Sequence, residues 1–313
     1  MSRVLCDASV PLERTRRALA RLEVSVETSA PPWTGDDVVG LLSFEPVTAD
    51  DIACLPSLRV IATPSVGFDH LDVAVATESG VWVCNVPDYC VDEMADHALA
   101  LLLSLVRGIV ELDRSVRSGG WDHRAAGPLR RIAEVRLGVI GFGRIGRALA
   151  QRASALGMDV TAHDPLVPDD ELENAGVRPA PLDELLARSD AISIHAPLTS
   201  ATRGLIGATE LARLPEGALV VNASRAGLVD SCALLEALRS GRLGGVALDV
   251  VDVEPPSAEE PAPLAPRLVV NPHAGWYSER AEEAVFVRAA ESVLDVLEGR
   301  RPRWAVNEPV ERW

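Results

Sequence analysis

The chain contains no lysine, and all thirty of its basic residues are arginines. This absence excludes a lysine Schiff base, a catalytic lysine and the phosphate-binding lysine of a P-loop. Cysteine is also scarce: the five cysteines are scattered and form no CxxC pair, so the sequence indicates neither a disulfide framework nor a metal site. No apolar run approaches the ~20 residues of a membrane-spanning helix, and the N-terminus lacks the apolar segment of a signal peptide. We therefore expect a soluble, cytoplasmic protein without a membrane partner.

The chain also has few positively charged residues relative to negatively charged ones: it contains 46 acidic and 30 basic residues, and its net charge is −16. A surface of this sign repels a phosphate backbone, so we predict no nucleic-acid partner. The hydrophobic content of 48% is sufficient for a sizeable core. A length of 313 residues favours two domains over one, since domains typically contain ~100–200 residues.

Short apolar runs alternate with helical patterns along nearly the whole chain. In the first part of the chain the predicted strands are RVLCDA, GLLSF, LRVIATPS and VWVCNVP. After a long predicted helix from Asp92 to Val106, a second series follows: VRLGVIGFG, DVTAHD, DAISIHAP, ALVVNAS, GGVALDVV and RLVVNPH. A last helix is predicted from Ser278 to Leu297. Runs rich in β-branched residues that alternate with helices are typical of parallel sheets covered on both faces, so we predict an α/β protein with two doubly wound sheets.

The most informative segment is LGVIGFGRIGRALA, in which Gly141, Gly143 and Gly146 form a GxGxxG motif between a predicted strand and a predicted helix. Such a turn brings the pyrophosphate of a dinucleotide against the backbone and the helix N-terminus. The next strand ends at Asp164, whose carboxylate can accept hydrogen bonds from the adenosine ribose and would repel a 2′-phosphate. The sequence therefore predicts NAD in preference to NADP, and the structural alternative is an Asp164 that only caps the turn before Pro165.

Three polar residues follow successive predicted strands in the second series. Arg225 follows ALVVNAS, Glu254 follows GGVALDVV and His273 ends RLVVNPH. Open α/β sheets bind their ligands at the carboxyl ends of such strands. Reduction of a carbonyl needs a proton donor, for which His273 is suited, while Glu254 can hold the imidazole ring and Arg225 can bind a carboxylate. Each residue taken singly has a structural interpretation, whereas their order behind a dinucleotide motif favours a dehydrogenase.

Longer segments point in the same direction. VNASRAGLVD, GGVALDVVDVEPP and NPHAGW closely resemble the three signature blocks of the D-isomer-specific 2-hydroxyacid dehydrogenase family. SVGFDHLD resembles the substrate-carboxylate loop of that family, and NVPDYCVDEMADHALALLL resembles its first interdomain segment. Within the family, HAGWYSER and NVPDYCVDEMAD are most similar to the C-terminal-binding protein branch. The resemblance implies an NAD-dependent oxidoreductase that interconverts a 2-oxo acid and a D-2-hydroxy acid, and it implies a homodimer.

The resemblance also implies an arrangement of domains and site residues. Residues 1–96 and 277–313 would form a flavodoxin-like substrate domain and residues 97–276 a Rossmann-type NAD-binding domain, with the active site in the cleft between them. Arg225 would orient the substrate, and Glu254 with His273 would form the acid/base pair. The other implied substrate contacts are the backbone amides of Val66 and Gly67 and the side chain of Trp276, for which a packed interdomain aromatic is the alternative. The implied cofactor contacts, beside the three motif glycines and Asp164, are Cys90, Arg144, Ile145, His195, Pro197, Thr202, Ala223, Ser224 and, holding the nicotinamide carboxamide, Asp249.

Two positions depart from the family pattern. Asp88 replaces a glycine or alanine beside the substrate loop, and Ala226 replaces the glycine that usually follows the arginine. We expect the charge of Asp88 to narrow the substrate range or to favour a substrate with a positive group, and we expect Ala226 to cost little. Two other functions stay open at this point: an NAD(H)-sensing interaction protein of the corepressor type, and a dehydrogenase of another small anion such as phosphite or a phosphonate.

Overall fold

The computed structural model describes residues 2–256 and 267–310 and divides the chain into two units. Met1–Cys90 and Tyr277–Trp313 form the first unit, and Val91–Trp276 form the second. The predicted boundary after residue 96 lies inside the continuous helix Val91–Arg107, and the predicted domain bounds stay a prediction. Ala98 and Leu102 on this helix are buried in the core of the second unit, so the whole helix belongs there.

The elements are numbered in chain order. The strands are β1 (Ser2–Cys6), β2 (Val24–Thr28), β3 (Val38–Leu42), β4 (Val60–Ala62), β5 (Trp82–Cys84), β6 (Arg136–Ile140), β7 (Asp159–His163), β8 (Arg178–Pro179), β9 (Ala191–Ile194), β10 (Ala218–Asn222), β11 (Leu243–Leu248) and β12 (Leu268–Val270). The α-helices are α1 (Leu12–Ala18), α2 (Ala49–Ala53), α3 (Val73–Glu78), α4 (Val91–Arg107), α5 (Ile109–Arg117), α6 (Arg144–Ala155), α7 (Asp169–Asn174), α8 (Leu182–Arg188), α9 (Ala208–Arg213), α10 (Ser231–Arg239) and α11 (Glu279–Leu297). Two short 3-10 helices span Ile132–Glu134 and Ala226–Leu228.

The first unit is built on a parallel five-stranded sheet in the order β2-β1-β3-β4-β5, which is the flavodoxin-like order. Helix α11 covers one face, where Val285 and Val293 are buried beside strand residues such as Val4. On the opposite face Trp33 and Ile61 belong to a second apolar cluster. Both faces are therefore covered, as the apolar strand runs predict.

The second unit contains a parallel seven-stranded sheet in the order β12-β11-β10-β9-β6-β7-β8. From β6 the chain proceeds outward to β7 and β8, and then returns to place β9 on the other side of β6. The direction of winding thus reverses between β6 and β9, and ligands of open α/β sheets bind at the carboxyl ends beside such a reversal. The predicted α/β class with two doubly wound sheets is confirmed.

Strands β2 and β8 and helix α5 were not predicted. Strand β2 lies at the edge of its sheet, and its sequence VSVET alternates apolar and polar residues instead of forming a continuous apolar run. Helix α5 is short and rich in charged residues, and it begins after Gly108, whose φ of 57° separates it from α4. The predicted helices from Asp92 and from Ser278 are confirmed as α4 and α11, and the Ser278 hydroxyl caps α11 by accepting from Ala281 N at 3.0 Å.

None of the described helices combines the length and the apolar character that crossing a membrane requires. The cytoplasmic location stays a prediction.

Candidate active site

The GxGxxG turn joins β6 to α6 and requires its glycines for two different reasons. Gly141 has a φ of 92°, and a Cβ there would lie 2.6 Å from the nitrogen of Ala196. A Cβ on Gly146 would overlap the carbonyl oxygen of Gly141. Gly143 is the N-cap residue of α6 and has no capping side chain, and nothing lies within 4 Å of where its Cβ would be. The N-terminus of α6 is thus open to the pyrophosphate of a dinucleotide. The first turn of the helix contains the other predicted motif residues, Arg144 and Ile145.

Asp164 follows β7 and ties the glycine-rich turn to the next loop. One carboxylate oxygen accepts a hydrogen bond from Phe142 N at 2.8 Å, and the other accepts from Leu166 N at 2.9 Å. The turn-capping role that the sequence left as an alternative is therefore present. A carboxylate has about four lone-pair sites, so Asp164 retains acceptor capacity for ribose hydroxyls, and that second role stays a prediction.

His195 follows β9, on the other side of the reversal point. Its peptide nitrogen donates to Ile140 O at 2.7 Å, which places it beside the end of β6. Its Nε2 lies 2.8 Å from the Ser193 hydroxyl, and burial lowers the pKa of the ring to about 4, so His195 is neutral near pH 7. Thr202 donates to the carbonyl of Pro197 at 2.6 Å and closes the loop that comes after β9. These residues line the loop where the sequence analysis placed the cofactor.

The turn after β10 positions Arg225 through an asparagine that the sequence analysis missed. Asn222 is buried at the end of the strand, accepts from Ser224 N at 3.1 Å and donates to Arg225 O at 2.9 Å. The Ser224 hydroxyl donates to Ile194 O at 2.8 Å and so joins this turn to the end of β9. The buried residue between them is Ala223. Asn222 is a polar residue directly after the apolar run ALVV, and this pattern in the sequence could have identified it as a site residue.

Glu254 and His273 are brought together on the loops after β11 and β12. His273 Nδ1 lies 2.9 Å from Glu254 Oε2, and both side chains are partly exposed. Glu254 Oε1 also accepts from Val251 N at 3.2 Å. The pair borders a cavity of about 340 Å³ whose walls include Pro255 and Pro272. Because Nδ1 is engaged by the carboxylate, Nε2 is the ring nitrogen available for proton exchange with a substrate.

Asp249 anchors the turn that carries His273. Its two carboxylate oxygens accept from Ala274 N and Gly275 N, each at 2.9 Å, and His97 Nε2 lies 3.2 Å away at an ion-pair distance without hydrogen-bond alignment. Burial alone would raise the pKa of this carboxyl, but its contacts with His97, Gly275 and Ala274 outweigh burial and lower the pKa. A Cβ on Gly275 would lie 2.8 Å from the carboxylate. The predicted contact of Asp249 with the nicotinamide stays a prediction.

The structure shows the surroundings of Asp88 and Ala226, the two residues that depart from the family pattern. Asp88 Oδ1 lies 2.7 Å from Arg288 Nη1, so an arginine of α11 accompanies its negative charge. The expected effect of Asp88 on the substrate range stays a prediction. Ala226 begins a short 3-10 helix. Among the described residues, His273 is the sole non-glycine with a positive φ, so the backbone at Ala226 needs no glycine.

The remaining predicted residues lie at the borders of the units or in the first unit. Val66 and Gly67 are half-buried in the loop after β4, Cys90 is buried at the end of the first segment, and Trp276 is half-buried at the end of the second unit. Their contacts with substrate and cofactor stay predictions. Within the second unit, the parallel strands bring the glycine-rich turn, Arg225 and the His–Glu pair to one edge of a single sheet.

A family model described as the NAD binding domain of the D-isomer specific 2-hydroxyacid dehydrogenases matches residues 99–275. This chain belongs to the D-isomer specific 2-hydroxyacid dehydrogenase family. The predicted family and the predicted NAD cofactor are thereby confirmed, while the C-terminal-binding protein branch stays a prediction.

Several relatives resemble this family member over most of its length. It is 38% identical to a D-3-phosphoglycerate dehydrogenase of Archaeoglobus fulgidus over 263 residues, which are 84% of this chain and 50% of the relative. It is 37% identical to a glyoxylate reductase of Korarchaeum cryptofilum over 88% of this chain and 83% of the relative. The crystal structure of D-lactate dehydrogenase from Aquifex aeolicus, complexed with NAD and lactic acid, matches with a TM-score of 0.88 and 26% identity over 98% of this chain and all of that one. The chain spans about half the length of the D-3-phosphoglycerate dehydrogenases that it matches.

Proposed function

We propose that this protein is an NAD-dependent oxidoreductase that interconverts a 2-oxo acid and a D-2-hydroxy acid. The observation that carries the proposal is the 2.9 Å contact of His273 with Glu254, on the loops after two neighbouring strands of a dinucleotide-binding type of sheet. The names of the relatives support the same class of reaction, since phosphoglycerate, glyoxylate and lactate are all 2-hydroxy or 2-oxo acids.

The proposed step uses His273 as the general acid of reduction. Bound NADH supplies a hydride to the carbonyl carbon of the substrate. His273 gives its Nε2 proton to the carbonyl oxygen, so that the carbon–oxygen double bond becomes a single bond while one C–H bond and one O–H bond form. Glu254 accepts the hydrogen bond of Nδ1–H and keeps the ring oriented, and in the oxidation direction the same nitrogen, Nε2, receives the alcohol proton.

Arg225 is the proposed substrate anchor. Its backbone is fixed by Asn222, and its Nη1 donates to Ser224 O at 2.9 Å, which holds the guanidinium close to the turn after β10. A planar guanidinium presents a fork of donors to a carboxylate and is charged at every relevant pH. This geometry suits a group that binds the carboxylate and polarises the adjacent carbonyl.

The experiment that tests the proposal is an NADH-oxidation screen over glyoxylate, pyruvate, hydroxypyruvate, 3-phosphohydroxypyruvate and an aromatic 2-oxo acid. We expect turnover with at least one of them, a D-configured product and saturation in both substrates. Tight NADH binding without turnover of any 2-oxo acid would overturn the proposal and would favour an NAD(H)-sensing interaction protein. Turnover of phosphite or a phosphonate in their place would favour a dehydrogenase of another small anion.

A homodimer is part of the same proposal, and α5 with the segment after it offers a surface for the second copy. Ile109, Val116 and Trp121 are exposed, and Trp121 is 91% exposed. Ile109 and Val116 are seven residues apart on one helix and therefore lie on the same face. An exposed apolar patch of this kind is typical of a protein–protein contact.

Sedimentation velocity tests the homodimer. We expect a dimer that Trp121→Glu weakens, whereas Val310→Glu, at an exposed valine of the first unit, leaves the dimer intact. A wild-type monomer at micromolar concentration would remove this part of the proposal.

A further inference from the structure

The loop of residues 65–67 in the first unit has all three of its carbonyl oxygens engaged by the protein. Ser65 O accepts from Val86 N at 2.8 Å, Val66 O accepts from Asn85 Nδ2 at 2.7 Å, and Gly67 O accepts from the hydroxyl of Ser65. The peptide N–H groups of Val66 and Gly67, by contrast, donate to no acceptor within residues 2–256 and 267–310. The loop therefore presents donors without acceptors, which is what a backbone site for an anion requires.

A relay of three side chains determines how the Ser65 hydroxyl is used. The Gly67 carbonyl can only accept, so the single hydroxyl hydrogen of Ser65 is donated to it. The Thr63 hydroxyl, 3.1 Å from Ser65 Oγ, must then donate to Ser65, and its own oxygen accepts from His70 Nε2 at 3.3 Å. The relay thus runs in one direction, from the imidazole through two hydroxyls to the loop carbonyl, and it requires a proton on His70 Nε2.

Asn85 is held from a different side of the same loop. It is 8% exposed, follows β5 and donates its peptide N–H to Trp304 O at 3.3 Å. Thr63 N likewise donates to Cys84 O at 2.9 Å, so the relay and the asparagine are both attached to the end of β5. The polar support of the loop is therefore built on the sheet, which is the more rigid part of a fold.

We propose that Asn85 and the His70–Thr63–Ser65 relay are positioning residues, which hold the backbone of residues 65–67 in the shape that binds the carboxylate of a 2-oxo acid. This inference rests on the proposed function and adds to it the residues that determine affinity for the carboxylate. These side chains act through the loop backbone, because Asn85 and Ser65 donate to its carbonyls. Thr63 and His70 in turn fix the hydroxyl of Ser65. Their removal should weaken binding of the carboxylate and leave the proton-transfer chemistry of the second unit intact.

The test compares Thr63→Val, which keeps the shape of the buried side chain and removes its hydroxyl, with the matched variant Thr63→Ser, which keeps the hydroxyl. Two substrates are compared for each variant. The first is whichever of glyoxylate, pyruvate and hydroxypyruvate the wild type reduces most efficiently, and the second is the primary amide of that acid, which carries no charge. For Thr63→Val we expect the KM for the acid to rise about tenfold, the effect of losing one hydrogen bond of ordinary strength. We expect kcat, the KM for the amide and the Kd for NADH to stay near their wild-type values, and Thr63→Ser to behave as the wild type.

A second pair of variants tests Asn85 without relying on Thr63. Asn85→Asp replaces the donor to Val66 O by an acceptor, so the KM for the acid should rise at least as much. Asn307→Asp is the control, because Asn307 donates to Val81 O at 2.9 Å and to Thr77 Oγ1 at 2.8 Å in the same unit and does not contact the loop. It should lower the stability of the first unit and leave the ratio of acid to amide KM unchanged.

The outcomes separate this inference from the proposed function. Equal effects of Thr63→Val on the acid and on the amide, or no difference between Thr63→Val and Thr63→Ser, would overturn the inference while an active wild type keeps the function. A wild type that neither turns over a 2-oxo acid nor binds oxamate in its NADH complex, followed by NADH fluorescence, would refute both.

Discussion

Replacing Asp249 by asparagine tests whether the turn that carries His273 is held by this carboxylate. Each oxygen accepts one peptide N–H, from Ala274 and from Gly275, at 2.9 Å. Asparagine keeps the shape and one acceptor, but it turns an N–H₂ group toward the other peptide N–H. The turn therefore loses one of its two anchors, and one buried donor is left without an acceptor.

The size of the effect is set by the environment of Asp249, which is fully buried. A buried donor left unsatisfied costs ~1–3 kcal/mol, so we expect the free energy of unfolding of the second unit to fall by about that amount. A displaced turn also moves His273, and a misplacement of ~1 Å can lower a rate by about 10². We expect a clear fall in kcat, and a parallel loss of NADH affinity only if Asp249 also holds the carboxamide.

The contribution of Asp249 to the stability of the fold depends on pH, and its direction follows from the shift of its pKa. The pKa of Asp249 is lowered in the folded protein, so its carboxylate stabilises the fold above the unfolded reference pKa of ~3.9. This contribution is lost as the pH falls through the lower folded pKa. The stability difference between wild type and Asp249→Asn should therefore be constant from about pH 5 to 8 and should narrow below about pH 3.9.

The assays are urea unfolding and stopped-flow NADH oxidation, with Asp190→Asn as the matched control. Asp190 is another buried carboxylate of the second unit, and it directly precedes β9, at the end of the strand away from the site. It accepts a hydrogen bond from Arg136 N at 3.1 Å and forms an ion pair with Arg130. Asp190→Asn should lower stability and leave kcat near the wild type. An Asp249→Asn variant that loses stability but keeps its kcat would refute the reasoning.

Three further predictions concern the site itself. His273→Asn should slow hydride transfer by ~10²–10⁴-fold with NADH binding retained; a pre-steady-state rate above a tenth of the wild type would assign the proton to another group. Arg225→Lys should lower kcat/KM for the 2-oxo acid, because an ammonium cannot form the two-pronged contact of a guanidinium with a carboxylate; steady-state kinetics at saturating NADH measure this, and an unchanged kcat/KM would contradict the anchoring role. Asp164→Ala should raise the efficiency with NADPH relative to NADH by removing the charge that repels a 2′-phosphate, and a wild type equally efficient with both cofactors would contradict the preference.

The sequence contained the signals that periodicity and short motifs can carry. Buried parallel strands produce apolar runs, the nucleotide turn requires glycines at fixed spacing, and polar residues at strand ends marked Arg225, Glu254 and His273. The edge strand β2 and the charged helix α5 produce no such run, so they were missed. The predicted boundary after residue 96 stays a prediction; the structure divides the chain between Cys90 and Val91, where neither a glycine nor a proline marks the division in the sequence.

The supporting contacts of the site could not be read from sequence, since they join residues that are far apart in the chain. Asn85 is 19 residues from Val66, and Asp249 is 26 residues from Gly275. A hydrogen bond from a side chain to a distant peptide group leaves no periodic pattern and imposes no spacing. Only the fold shows that Asn222, Asn85 and Asp249 each hold a turn that carries a predicted functional group.

The backbone at His273 gives an independent reason to assign its ring a function. Its φ of 52° lies in the left-handed region, which histidine tolerates better than β-branched residues do but which still costs ~1–3 kcal/mol relative to an unstrained residue. A glycine at this position would remove the strain and would keep both hydrogen bonds to Asp249, because these come from the peptide N–H groups of Ala274 and Gly275. Histidine therefore gives the backbone no added stability at this position. Its one contribution beyond that of glycine is the imidazole ring, which Glu254 holds. If His273→Gly proves more stable than the wild type in urea while it loses hydride transfer, the strain is retained for catalysis.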